Sequence, residues 1–183
     1  MASEILLENA TNEIELLEFK IGSNYYGINV AKVKEILPYQ PITPIPNSHR
    51  CIEGIFMPRD MLITLVDLAT ALNLPPSNNP SLDMFVVTRF NRLTIAFHVH
   101  TVEGIHRISW KDINKPDDTI NDENSIATGI ANINGRLIII LDFEKIISDI
   151  CPDVSIKSSS VDKLGDRIYS DKHILIAEDS RML

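Results

Sequence analysis

From Ile14 onward the chain is written in apolar segments of strand length separated by turn residues. Leu16-Leu17-Glu18-Phe19-Lys20-Ile21 and Tyr25-Tyr26-Gly27-Ile28-Asn29-Val30 both alternate, and the polar Gly22-Ser23-Asn24 between them predicts a hairpin. Residues 31–37 read as one helical turn running into a strand. Pro38, Pro41, Pro44 and Pro46 follow; proline fixes φ and lacks an N–H, so regular structure is not expected before about Pro46. Residues 51–57 and 61–68 form a second hairpin-like pair around Pro58-Arg59-Asp60, and residues 68–74 a short helix stopped by Pro75-Pro76.

Strands resume at 84–90 and 93–99, joined at Asn91-Arg92, and again at 102–108. The polar run 111–124 reads as a solvated loop. Residues 126–133 and 136–141 flank Asn134-Gly135, the pair that supplies the two positive-φ positions of a type I′ turn. Apolar residues at 143, 146, 147 and 150 then predict a short amphipathic helix closed by Pro152. There is an internal echo: Leu62-Ile63-Thr64-Leu65-Val66-Asp67-Leu68 and Leu137-Ile138-Ile139-Ile140-Leu141-Asp142-Phe143 are both apolar runs whose Asp opens a helix. A carboxylate there accepts from orphan N–H groups and opposes the positive end of the helix dipole, which favours capping over catalysis. Residues 14–150 therefore read as a mainly β domain of short antiparallel strands with two small helices, a pattern that small β-barrels satisfy by closing their edges.

Composition sharpens this. The chain has 183 residues, enough for one domain or one domain and a fragment, and 28 of them are isoleucine, whose stiff branched side chain suits a pleated surface. With 17 basic and 25 acidic residues the net charge is −8, which disfavours contact with nucleic acid or an anionic membrane. The two cysteines, Cys51 and Cys151, form no CxxC pair or His/Cys cluster, so neither a disulfide framework nor a zinc site is indicated. The acidic start MASEILLENATNEIE lacks a basic region before an apolar stretch, and no apolar run approaches the roughly 20 residues of a membrane span, so a cytoplasmic location is expected.

Residues 151–172 shift to Ser, Asp and Lys and read as a linker; residues 1–13 form an N-terminal tail. At 173–177 the chain resumes as a continuous apolar run, as in a strand buried on both faces, ending in Glu178-Asp179-Ser180. Adjacent carboxylates at such a strand end suit Mg²⁺. The constellations of common enzymes (GxGxxG, GxxxxGK[ST], GxSxG, HExxH) do not occur. His98 and His100 share a strand face and would form half of a metal site, but no third ligand is evident, and half-exposed strand histidines are the plainer reading.

Phe19, Tyr26-Gly27-Ile28-Asn29-Val30, Val33-Lys34-Glu35-Ile36, the prolines around Thr43-Pro44-Ile45-Pro46, Gly54-Ile55-Phe56, Arg59 and Ile63-Thr64-Leu65-Val66-Asp67-Leu68 resemble the first half of a CheW-like domain. Thr128-Gly129-Ile130, Asn134-Gly135-Arg136 and Asp142-Phe143-Glu144-Lys145-Ile146 resemble its closing hairpin and helix. Residues 173–183 are similar to the first strand of a response-regulator receiver domain. A CheW-like domain followed by a receiver is the arrangement of CheV-type coupling proteins, which this chain resembles in its N-terminal part.

That resemblance implies two small five-stranded SH3-like β-barrel subdomains over residues 14–150 and a non-enzymatic scaffold at membrane-associated receptor arrays. The scaffold would couple the chemoreceptor cytoplasmic tip to the histidine kinase CheA, with no nucleic acid partner and no insertion into the membrane. It implies that Val33, Glu35, Gly54 and Arg59 meet the receptor, and that exposed apolar strand residues of the first subdomain, around Ile42 and Ile45, face the kinase. Glu178 and Asp179 match the acidic pair that holds Mg²⁺ in a complete receiver; the acceptor Asp of that domain is not in this chain, and no cofactor is expected of residues 1–183 themselves. Without the resemblance, Val33 reads as a half-buried strand residue, Glu35 as a solvated charge, Gly54 as a bulge or turn and Arg59 as a hairpin-tip charge. The sequence departs from the family pattern at Asp60, where Gly is usual, at Met57-Pro58 and at His100; Asp60 beside Arg59 would neutralise part of the receptor-facing charge. A small β-barrel binding a ligand or oligonucleotide is the alternative; it needs a basic groove with aromatic platforms, and aromatic residues are 6% of this chain.

Overall fold

The computed structural model describes residues 12–90, 93–115 and 125–151. In chain order these form β1 (Glu13–Ile21), β2 (Asn24–Asn29), a 3₁₀ turn (Val30–Lys32), β3 (Val33–Pro38), β4 (Ile52–Phe56), β5 (Ile63–Asp67), α1 (Leu68–Ala71) and a 3₁₀ turn (Pro80–Leu82). There follow β6 (Met84–Phe90), β7 (Leu93–Val99), β8 (Thr101–Ser109), a 3₁₀ turn (Trp110–Asp112), β9 (Ile113–Asn114), β10 (Ala127–Ile133), β11 (Arg136–Leu141) and α2 (Phe143–Ile150). The expected hairpins form, and Asn134 and Gly135 take φ of 53° and 80°, as the type I′ turn requires. Asp67 and Asp142 are both N-caps, accepting from Ala69 N and Lys145 N at 2.9 Å.

The strands make a six-stranded sheet, β8-β1-β2-β11-β10-β9, and a five-stranded sheet, β3-β6-β7-β5-β4. Two expectations need correction. The extra sixth strand is β9, two residues from the stretch read as loop, which pairs with β10 through Ile113 and Asn114. The sheets are also mixed rather than antiparallel throughout: β5 runs parallel to β7, and β11 parallel to β2. Hairpins fix only the pairing of consecutive strands, and these two contacts join strands distant in sequence.

The echo between β5 and β11 extends to their surroundings. Each is the parallel neighbour of a central strand, the antiparallel partner of the strand before it, and the lead into a helix. In each hairpin the incoming strand carries one extra residue before a glycine, Glu53 before Gly54 and Thr128 before Gly129. Thr43 bridges Ile55 of β4 on its outer side much as β9 borders β10.

One core serves both sheets. Leu17 and Phe19 of β1, Tyr26 and Ile28 of β2, Val86 and Phe90 of β6, Phe97 and Val99 of β7 and Phe143, Ile146 and Ile147 of α2 form a single buried cluster. Each sheet also closes over its own contents, Leu16, Ala131, Ile133, Ile138 and Ile140 in one, Phe56, Ile63, Leu65, Phe85, Val87 and Ala96 in the other. Strands β1, β6 and β7 are thus apolar on both faces, which is why they read as near-continuous apolar runs. No helix among the described residues is long and apolar enough to cross a membrane.

Candidate functional site

The chain leaves the six-stranded sheet for the five-stranded one at Asn29, whose side chain accepts from Ala31 N at 2.9 Å and starts the 3₁₀ turn. Lys32 at the end of that turn pairs with Glu144 of α2 at 2.6 Å and lies over the Phe90 ring. Val33 then opens β3, an edge strand, partly buried against the shared core. Lys34 is an extra residue in the pairing with β6, and such a bulge blunts an edge against unwanted strand pairing. Glu35 follows, and its carboxylate lies 3.4 Å from the Arg59 guanidinium. Arg59 sits at the tip between β4 and β5 with φ of 62°, so the hairpin at one side of the sheet curls round to the edge strand at the other.

Three of the four residues assigned to the receptor face are therefore neighbours or linked, Val33 and Glu35 on one edge strand and Arg59 through its ion pair. The ion pair that Arg59 makes is with Glu35, not with the adjacent Asp60. With the Arg59 side chain 81% exposed, the pair orients the head group and contributes at most about 1 kcal/mol to folding. Gly54 stands apart on β4, the opposite edge strand. Its φ is 155°, and a Cβ there would meet Thr43 O at 2.4 Å. Ile42 and Ile45 flank Thr43 and need correction: they belong to the irregular segment that bridges β4, not to a strand of the first sheet, and Ile42 packs half-buried against Phe56 and its neighbours. Ile45 is exposed, as are Met57, Met61 and Leu62 around the β4–β5 tip.

Beside the 3₁₀ turn lies an apolar groove of about 380 Å³. Ile14, Ile28, Ile140 and Phe143 line it from the six-stranded sheet and α2, Phe90 closes it from the other sheet, and the half-exposed Trp110 stands at its mouth. Lys32 and Glu144 put a charge pair on its rim. A groove of this size and lining accepts a few apolar side chains from one face of a partner helix.

Two buried charged clusters were not legible in the sequence. The first corrects the reading of the histidines. His98 is buried, not half-exposed, with Nδ1 2.8 Å from Glu53 Oε2 and Nε2 3.0 Å from Asp83 Oδ2; His100 lies apart from it, its Nδ1 accepting from Gly22 N. Burial pulls the His98 pKa down, but the hydrogen bond and charge of Glu53, with the charges of Asp83 and Asp67, outweigh it and leave the pKa above the ordinary value of 6.5. The second cluster is Glu18, wholly buried on β1 opposite Gly27 and Gly104, hydrogen-bonded to His106 and 3.3 Å from Arg136. Among the described residues no three His, Cys, Asp or Glu side chains are grouped to hold a metal ion. Cys51 and Cys151 are free, and burial pushes the Cys51 thiol pKa up, away from reactivity. Glu178 and Asp179, the expected Mg²⁺ pair, and residues 152–172 of the expected linker lie outside the described residues.

Residues 15–151 match the family model described as the CheW-like domain. The chain is 37% identical over 164 residues to chemotaxis protein CheV3 of Helicobacter pylori, covering 82% of this chain and 52% of that protein, so it spans about half the length of that relative. It is 30% identical to chemotaxis protein CheW of Thermotoga maritima, covering 79% of this chain and 94% of that one. Among solved structures, the scaffolding protein TtCheW of Thermoanaerobacter tengcongensis superposes with a TM-score of 0.64 at 22% identity, over 70% of this chain and 88% of that one, which supports the fold.

Proposed function

The chain belongs to the CheW-like domain family, and on that premise we propose that it is a non-enzymatic chemotaxis adaptor that couples a chemoreceptor's cytoplasmic tip to the histidine kinase CheA. The observation that carries the reading is the apolar groove whose rim residue Lys32 leads directly into edge strand β3, which carries Val33 and the Arg59-paired Glu35. Receptor tips are helical by this reading: an apolar stripe enters the groove past Trp110, and the Glu35–Arg59 pair reads the polar flank and sets orientation more than affinity. The kinase takes the separate apolar surface around Ile42 and Ile45. A receiver domain continuing from residues 173–183 tunes the coupling by phosphorylation in the longer protein, with Glu178 and Asp179 toward Mg²⁺.

Capture of purified receptor-tip and CheA fragments tests this. Arg59→Ala is expected to weaken receptor capture about tenfold while kinase capture and thermal unfolding stay near native, and Val33→Glu to weaken it at least as much with a lowered unfolding temperature, because Val33 packs partly against the shared core. Ile45→Asp is expected to do the reverse. Undiminished receptor capture by both of the first two variants would sink the site assignment.

A further inference from the structure

We propose that His98 is the positioning residue of the Ile42–Ile45 surface, and that its proton sets how firmly that surface is held for its partner. The inference rests on the reading that this surface faces the kinase.

The geometry is specific. Carboxylates only accept, and both ring nitrogens of His98 face carboxylate oxygens, so both hydrogen bonds exist together only when the ring carries two protons. Glu53, which reaches the ring, is the extra residue of the β4 bulge, the kind of position at which a strand re-aims a side chain. Asp83, buried, is held from its other oxygen by Ser77 Oγ at 2.9 Å, and its carbonyl accepts from Tyr39 N at 3.0 Å. The Tyr39 ring packs on Phe85 and His98. The segment carrying Ile42 and Ile45 is therefore linked to the ring at its start, through Tyr39, and to the strand that carries Glu53 through Thr43, between the two isoleucines. At its start Tyr39 is bound to Asp83, and farther on Thr43 exchanges two backbone hydrogen bonds with Ile55, two residues beyond Glu53.

The charged groups around the ring are Glu53 from β4, Asp83 from the approach to β6 and Asp67 from β5, all acidic. Losing the proton removes one hydrogen bond and leaves these carboxylates facing one another without a cation. Because the folded His98 binds its proton more tightly than an unfolded histidine, the stabilisation is complete below about pH 6.5 and is lost as pH rises through the higher folded value. The bulge is then free to relax, and the Thr43 bridge with it.

The test uses the full 183-residue chain, with capture of CheA and receptor-tip fragments measured from pH 6 to 9 and the His98 ring followed by NMR. Native kinase capture is expected to weaken at least about fivefold as the ring deprotonates, while receptor capture holds. His98→Gln should show weakened, pH-independent kinase capture. Glu53→Gln keeps an acceptor without the charge and guards against misfolding; its profile should shift to lower pH. A native profile unmoved by either variant, or flat across the ring's own titration, would overturn the proposal. Ile45→Asp separates the two levels: if it leaves kinase capture intact, the assignment of the surface fails, whereas loss of capture there with a native profile in His98→Gln removes only the positioning role.

Discussion

Truncating Phe97 to alanine is expected to lower folding stability by about 3–5 kcal/mol and to cost receptor capture as well. Phe97 is fully buried on β7 of the five-stranded sheet, yet its ring meets Phe143 of α2 edge-on at 4.6 Å, and Phe143 in turn meets Phe19 of β1 edge-on at 6.1 Å. The three rings span both sheets and the helix, so a cavity at Phe97 removes contacts on each side of the shared core. Phe143 also lines the groove, and without its neighbour it drops into the vacated space. Because one core serves both sheets, they should unfold together. Chemical denaturation followed by Trp110 fluorescence and by far-UV circular dichroism should give one coincident transition, native and mutant, with the mutant midpoint lowered. Two separated transitions would show that the sheets hold themselves up independently.

Much of this fold was legible because its strands are read locally. The β1–β2 hairpin, Asn134-Gly135 and the capping aspartates are each specified within a few residues and appear as expected, whereas the alternation read in β1 gives way to burial of Leu16 through Phe19 on both faces. The parallel contacts of β5 with β7 and β11 with β2 were not legible: a strand's pattern states which faces are buried and not which strand lies beside it. The echo between the two Asp-ended strands was visible, but its meaning, two halves of matching topology, needed the sheet order. At the site, Val33, Glu35, Gly54 and Arg59 came from family resemblance, and no local pattern would have joined Glu35 to Arg59 across 24 positions. The buried ions were hidden for the opposite reason. His98 and Glu18 stand at alternating strand positions where a polar residue normally faces water, and only the closing of each sheet turns those positions inward.

Gly54→Ala is expected to destabilise the domain by about 2–4 kcal/mol, summing strain at an unfavourable φ and a forced contact. Its φ of 155° is a conformation that residues with a side chain rarely adopt, and the added methyl would lie 2.4 Å from the Thr43 carbonyl and 2.6 Å from the Ile42 side chain. Neither neighbour yields easily, because Thr43 is bonded to Ile55 in both directions and Ile42 is packed on the inner core of the sheet. The segment bearing Ile42 and Ile45 must therefore lift away from β4. This separates two explanations of why the family position matching Gly54 matters. If the glycine serves by touching a receptor, its alanine variant loses receptor capture and little stability. If it serves by admitting the Thr43 backbone, the variant loses stability and kinase capture first, and receptor capture by the folded fraction stays near native. The structure favours the second, and thermal unfolding measured alongside both captures distinguishes them. A Gly54→Ala protein with native thermal stability would show that the segment moves at no cost, and the bridge at Thr43 would then carry none of the rigidity argued for it.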